Sequence, residues 1–188
     1  MNYLGHLFLS NNRLEIMRSN LFGDFVKGNK LENLPEIVSE GIRLHREIDS
    51  YIDNHPVVRE LMHELYQYLP KVTGIAVDLY FDHLLAKDWN IYHPKTLDNF
   101  THDFFNYKDI SEVYFSKGFK ELLYIIEKDS WLLNYQKKEG LDFACKGLSK
   151  RISFDNELKN GVLVFEENKE LIENTFECFM KDAIVTFN

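Results

Sequence analysis

Residues 72–86, VTGIAVDLYFDHLLA, carry no Lys, Arg or Glu, and apart from Tyr80 their ionisable side chains are Asp78, Asp82 and His83. At about 100° per residue, Asp78 and Asp82 share one helical stripe, with Ile75 and Leu85 beside them and Leu79 and Phe81 a little further round. A helix that is apolar on nearly every side belongs in an interior, so this segment is predicted to be the central helix of the fold. Each carboxylate buried in it costs on the order of several kcal/mol unless it is protonated, paired with a cation or bound to a metal. The rest of the chain must compensate them.

The 188 residues are 45% hydrophobic and 14% aromatic, enough to bury a full core. With four prolines, nine glycines and long stretches of helical periodicity, they predict an all-α, single-domain multi-helix bundle spanning residues 1–188. A net charge of -8 argues against nucleic acid as a partner, because phosphate backbones need clustered Lys and Arg. Cys145 and Cys178 lack metal-ligand or redox spacing, which fits a reducing cytosol and packing roles. The apolar opening MNYLGHLFLS has no basic leader, and no later run reaches the length of a membrane span. A cytoplasmic protein without a membrane partner is expected.

Helices are predicted at about 2–10, 13–27 (closed by Gly28-Asn29), 35–54, 57–68, 70–86, 97–107, 118–134, 136–151 and 156–187, the last interrupted. The third is the informative one. His45 and Asp49 lie among Val38, Ile42 and Ile52, away from the charged arc of Glu36, Glu40, Arg43 and Glu47. Asp24 similarly projects near Met17 and Leu21. An i, i+4 His/Asp pair on one helix and an i, i+4 Asp/Asp pair on another suggest ligands converging inside a bundle. His6, Asp24, His45, Asp49, Asp78, Asp82 and His83 form a mixed imidazole and carboxylate set suited to a divalent ion such as Mn, Fe or Zn. Metal-assisted hydrolysis of a phosphate ester is the natural reaction class, with Arg46 at the edge of the buried face able to hold a phosphate oxygen. Asp53, Asn54 and Arg59 read as local capping and ion-pair residues, and the aromatic stripes read as core. Residues 136–151 carry five positive against two negative charges, the best place in this acidic chain for an acidic partner to dock.

The segments MNYLGHL (1–7), NLFGDFVKGN (20–29), GIRLHREIDSYIDNHPVVRE (41–60) and DLYFDHLLAKDW (78–89), the last preceded by Ile75-Ala76-Val77, resemble bacterial acyl carrier protein phosphodiesterase, also called holo-[acyl carrier protein] hydrolase. WLLNY and GLSKRI are looser matches further on. The resemblance implies a helical fold distantly related to HD-type metal phosphohydrolases, and a place in fatty acid and lipid metabolism. It also implies Mn-dependent hydrolysis of the phosphodiester that joins 4'-phosphopantetheine to a serine of holo-acyl carrier protein.

In that scheme Asp24, His45, Asp49, Asp78 and Asp82 are expected to hold the metal, and Arg46 the phosphate. His83 or His6 would protonate the departing serine oxygen, while Lys146, Lys150 and Arg151 dock the carrier protein. One departure affects His83: HD enzymes read His then Asp, whereas here Asp82 comes first, and the wheel turns His83 about 100° from Asp82. The alternatives are another small phosphodiester or nucleotide as substrate, and a non-catalytic helical module whose buried acids pair with Arg or Lys. Oligomeric state is not legible in the sequence.

Overall fold

The computed structural model describes residues 1–28, 31–108 and 110–187. Its helices are α1 (Tyr3–Phe8), α2 (Leu14–Phe22), α3 (Glu36–Asn54), α4 (Pro56–Leu65), α5 (Thr73–Lys87), α6 (Trp89–Tyr92), α7 (Leu97–Asn106), α8 (Lys117–Lys128), α9 (Trp131–Asn134), α10 (Lys138–Arg151), α11 (Gly161–Glu167) and α12 (Lys169–Phe187). Short 3-10 turns occupy Gly23–Phe25, Ile110–Tyr114 and Leu158–Asn160, and no strand occurs among the described residues. The fold is all-α, as the periodicity predicts.

Helix α5 takes the central position because almost every face of it is apolar: Val77, Leu79, Tyr80, Phe81, Leu84, Leu85 and Ala86 are buried. It contacts α1, α4, α10 and α12 around its circumference. Each large side chain so enclosed contributes roughly 1.5–3 kcal/mol relative to exposure. No helix among the described residues is long and apolar enough to cross a membrane.

Local chemistry sets the breaks between helices. Asn11 and Asn12 adopt left-handed φ of 50° and 57°, a conformation asparagine tolerates better than most residues, and so separate α1 from α2. Helix α2 ends at Phe22 instead of reaching residue 27, and the chain tightens into the 3-10 turn that carries Asp24. Gly23 permits that turn, since a Cβ there would collide with the His45 ring. Asn29, expected to help close α2, lies outside the described residues. The stretch 118–134, expected as one helix, is divided by Ser130 at φ 51° into α8 and α9. The expected interruption within 156–187 falls at Asn168, between α11 and α12.

Helices α2 and α3 pack closely, and Gly41 sets the spacing. A methyl group at Gly41 would sit 2.8 Å from the Asn20 backbone nitrogen. Gly41→Ala is therefore expected to push the helices apart and lower stability by about 1–3 kcal/mol, despite alanine's better helix propensity. Urea denaturation measures the change; an unchanged midpoint would show that the packing relaxes freely.

Candidate metal centre

Three of the expected metal ligands, Asp24, His45 and Asp49, meet at one place, and His6, expected as a proton donor, lies among them. Helix α1 supplies His6, the turn after α2 supplies Asp24, and α3 supplies His45 and Asp49 one turn apart. His6 Nε2 lies 3.1 Å from Asp49 Oδ1, and His45 Nε2 lies 3.2 Å from Asp49 Oδ2 and 3.3 Å from Asp24 Oδ1. The two imidazoles stack at 4.2 Å between centroids. One ligand atom from each of His6, His45 and Asp49 lies within 4.8 Å of the other two. These groups line a cavity of about 320 Å³, together with Asp53 and Asp78.

The hydrogens around His6 can be assigned. Ser10 Oγ donates to the His6 carbonyl at 2.8 Å, and Asn20 Nδ2 donates to that same carbonyl and to Ser10 Oγ. This orients the Asn20 amide so that its oxygen faces His6 Nδ1 at 3.0 Å. An amide oxygen only accepts, so Nδ1 carries the hydrogen, and the Nε2 of a neutral His6 presents a lone pair to the Asp49 carboxylate. Two acceptors at 3.1 Å repel unless a proton or a metal ion lies between them. Burial lowers the proton affinity of His6, only partly opposed by Asp49. A shared cation satisfies the contact without charging His6. Nitrogen and oxygen donors bound to one ion at about 2.1 Å stand roughly 3.0–3.4 Å apart, depending on the angle, and the observed separations fall within that range. The donor set therefore fits a divalent ion, and Asn20 plays the part of an outer partner that fixes a ligand's tautomer.

Without metal, His45 carries the positive charge. Burial disfavours its protonation, but hydrogen bonds to Asp24 and Asp49 outweigh burial and raise it to about 9. Asp49 is held well below the usual carboxylate range, because hydrogen bonds from His45 and His6 overcome its own burial. A raised imidazole stabilises the metal-free fold fully below pH 6.5, and this contribution disappears as pH rises through about 9. Metal requires the same nitrogen deprotonated. Affinity for Mn is therefore expected to rise about tenfold per pH unit between pH 7 and 9 while metal-free stability falls. Calorimetric titration and urea melts across that range check both slopes, and a pH-independent affinity would exclude His45 as a ligand.

The remaining predicted residues are placed differently. Asp82, expected on the metal, is fully buried behind α1, where its carboxylate accepts from the backbone N–H groups of Asn2 (3.2 Å), Leu4 (2.8 Å) and Gly5 (3.0 Å). These are the amides that a helix leaves unpaired at its start, and a carboxylate also complements the positive end of the helix dipole. Burial pushes Asp82 up to about 7 against the pull of those donors and the terminal amine. Asp78 lines the acidic cavity and accepts from the Met1 amino group at 2.8 Å. His83, expected as a proton donor, sits buried beyond the cavity with Nδ1 2.6 Å from the Tyr135 carbonyl and its ring edge-on to Phe165. Helical rotation carries it off the Asp78 and Asp82 stripe. Arg46 donates to the carbonyls of Val26 (3.1 Å) and Gly28 (2.7 Å), thus latching the loop that follows Asp24. On α10, Lys146 pairs with Asp142 at 2.6 Å, whereas no ion pair of Lys150 or Arg151 occurs among the described residues.

Two residues of the site escaped sequence reasoning. Asp53 continues the His45, Asp49 row at i+4 and could have been found by extending it. Asn20 had no sequence signal, since its role depends on a carbonyl and a hydroxyl from α1 and the turn that follows it.

The family model for acyl carrier protein phosphodiesterase matches residues 1–183. Acyl carrier protein phosphodiesterase of Photorhabdus laumondii is 30% identical over 152 residues, covering 80% of this chain and 77% of the relative. The protein of that name from Escherichia coli O6:H1 is 28% identical over 182 residues, covering 95% and 93%. That of Shigella boydii serotype 18 is 38% identical over 94 residues, covering 50% and 49%. No solved structure matches. The match over nearly the whole length, with its ligand-bearing helices inside the matched region, makes this chain a member of the acyl carrier protein phosphodiesterase family.

Proposed function

We propose that this protein hydrolyses the phosphodiester between 4'-phosphopantetheine and a serine of holo-acyl carrier protein, releasing apo-carrier and 4'-phosphopantetheine, and that it does so in the cytoplasm with a bound divalent ion, Mn²⁺. The observation that carries the metal dependence is the lone pair of His6 Nε2 facing the Asp49 carboxylate at 3.1 Å. The names of the relatives support the substrate.

His6, His45, Asp49 and Asp24 would hold the ion. When bound, it polarises a phosphoryl oxygen and supplies a nucleophile from water near neutral pH. The chain's own residues do the rest. Asn20 keeps the hydrogen of His6 on Nδ1 and so leaves Nε2 free to bind. Arg46 pins the segment after Asp24, which makes it a positioning residue for that ligand instead of a phosphate clamp. Asp53 lines the same cavity, its carboxyl raised above its ordinary value by burial and by the charges of Asp78 and Asp49. Lys150 and Arg151 offer positive charge to an acidic carrier protein, while Lys146 must first part from Asp142.

The test is incubation with holo-acyl carrier protein and Mn²⁺, read by mass spectrometry. Conversion to the apo form, abolished by EDTA and restored by Mn²⁺, is the expected result. Hydrolysis of a small phosphodiester with holo-carrier left intact would assign another substrate. A protein indifferent to both Mn²⁺ and EDTA would be a non-catalytic helical module.

A further inference from the structure

Beside the acidic cavity lies a second cavity of about 640 Å³, formed by α9, α10 and the start of α1. Its walls include Leu79, Trp131, Tyr135, Phe143, Ala144 and Leu148. Phe143 is 67% exposed, an aromatic ring in the groove wall with two-thirds of its surface unclaimed by the fold. Asn2, Tyr3 and Leu148 line both cavities, so the groove opens directly beside the His6, His45 and Asp49 cluster. Tyr3 stacks on Trp131 at 6.3 Å and forms the sill between them. Asn2 and Asn134 add amides to the lining, and its charged side chains are Lys137 and Arg151 together with Asp129 and Glu139.

We infer that this groove receives the pantetheine arm of the substrate. The inference rests on the phosphodiesterase reading and deepens it. A phosphodiester held at the metal cluster carries the serine on one side and the arm on the other, so the arm needs a channel that begins at the phosphate. The arm is uncharged and flexible, with a gem-dimethyl group, two amides and a terminal thiol. It suits a mainly apolar groove with a few amide-bearing side chains, and the volume is of the size that encloses a ligand of this scale. The charged lining residues balance, two positive against two negative, but the 136–151 segment that forms one wall carries five positive against two negative charges, so an acidic carrier docked on that segment would present its arm beside the groove.

Gly147 provides the test. It lies in the groove wall on α10, and a Cβ built there meets no atom within 4 Å. Gly147→Phe should therefore fold and fill the groove, whereas Gly147→Ala should leave most of it open. Two measurements are made. Pantetheine, which lacks the phosphate and so reports the groove apart from the metal, is titrated into the wild-type protein and both variants by calorimetry. The ratio of kcat/KM for holo-carrier protein to that for bis(4-nitrophenyl) phosphate is measured with Mn²⁺. Pantetheine should bind the wild type and the alanine variant, and at least tenfold more weakly the phenylalanine variant. The activity ratio should fall at least tenfold in the phenylalanine variant only, through KM. If the wild type converts holo-carrier but Gly147→Phe changes neither quantity, the groove assignment is overturned and the phosphodiesterase reading stands. If the wild type cleaves the small diester but leaves holo-carrier intact, the substrate reading falls, and the pantetheine titration still decides the groove: absence of binding overturns it, and binding lost in Gly147→Phe sustains it. Thermal melts of both variants establish that the changes are not those of unfolding.

Discussion

Asp49→Asn is expected to reduce hydrolysis and Mn²⁺ affinity by more than a hundredfold while the helical circular-dichroism signal stays close to wild type, and to lower the melting temperature of the metal-free protein at neutral pH, because protonated His45 then keeps only Asp24 as its carboxylate partner. Among the described residues Asp49 is the carboxylate that pairs with both imidazoles, at 3.1 and 3.2 Å, and it is half-exposed on the cavity side, so little packing depends on it. Changing an outer partner of a metal site costs about 10- to 100-fold, and removing a ligand costs more. The isosteric amide also presents an N–H₂ toward one of the two rings, so the pair loses its shared anion as well as a donor. A variant that binds Mn²⁺ as tightly as the wild type would remove the His6, His45 and Asp49 cluster from the mechanism.

Asp82 is expected to behave in the opposite way. Replacing it with leucine leaves the amides of Asn2, Leu4 and Gly5 buried without an acceptor, and such unmet groups cost about 1–3 kcal/mol each. A loss of stability on the order of 4 kcal/mol follows. Activity falls as well, because α1 carries His6, but by misplacing a ligand and not by removing one. Urea titration separates the two cases. An Asp82→Leu protein with wild-type stability and no Mn²⁺ affinity would return Asp82 to the metal and overturn the capping role.

The contrast between these two aspartates shows how far the sequence could be read. Both were visible as acid that needed compensation, Asp49 on the inner arc of α3 and Asp82 inside an apolar helix. Wheel geometry placed Asp82 correctly in the interior, whereas Asp49 stands half-exposed on the cavity side. The wheel could not say what each would face, because a carboxylate among apolar side chains is equally well satisfied by a metal, an arginine or the open end of a helix. The same limit applies to Arg46, whose position at the rim was legible while its bonds to the Val26 and Gly28 carbonyls, eighteen to twenty residues earlier in the chain, were not. His83 is an instructive case in the other direction: its rotation off the Asp78 and Asp82 stripe was already apparent in the helical wheel, and it is buried against Tyr135 and Phe165.

What the sequence determined by itself is what local periodicity encodes: an all-α fold, the burial of residues 72–86, the inward turn of His45 and Asp49, and the excess of positive charge around α10. These depend on side chains within a few turns of one another. Which acids meet which imidazoles was decided only by tertiary structure. That choice depends on two glycines that let α2 close against α3 and let His45 lie on the turn bearing Asp24, and on an asparagine whose orientation is set by atoms of α1 and the turn after it. Contacts of that kind join residues distant in the chain through backbone atoms common to every residue type, so no residue pattern in the sequence announces them.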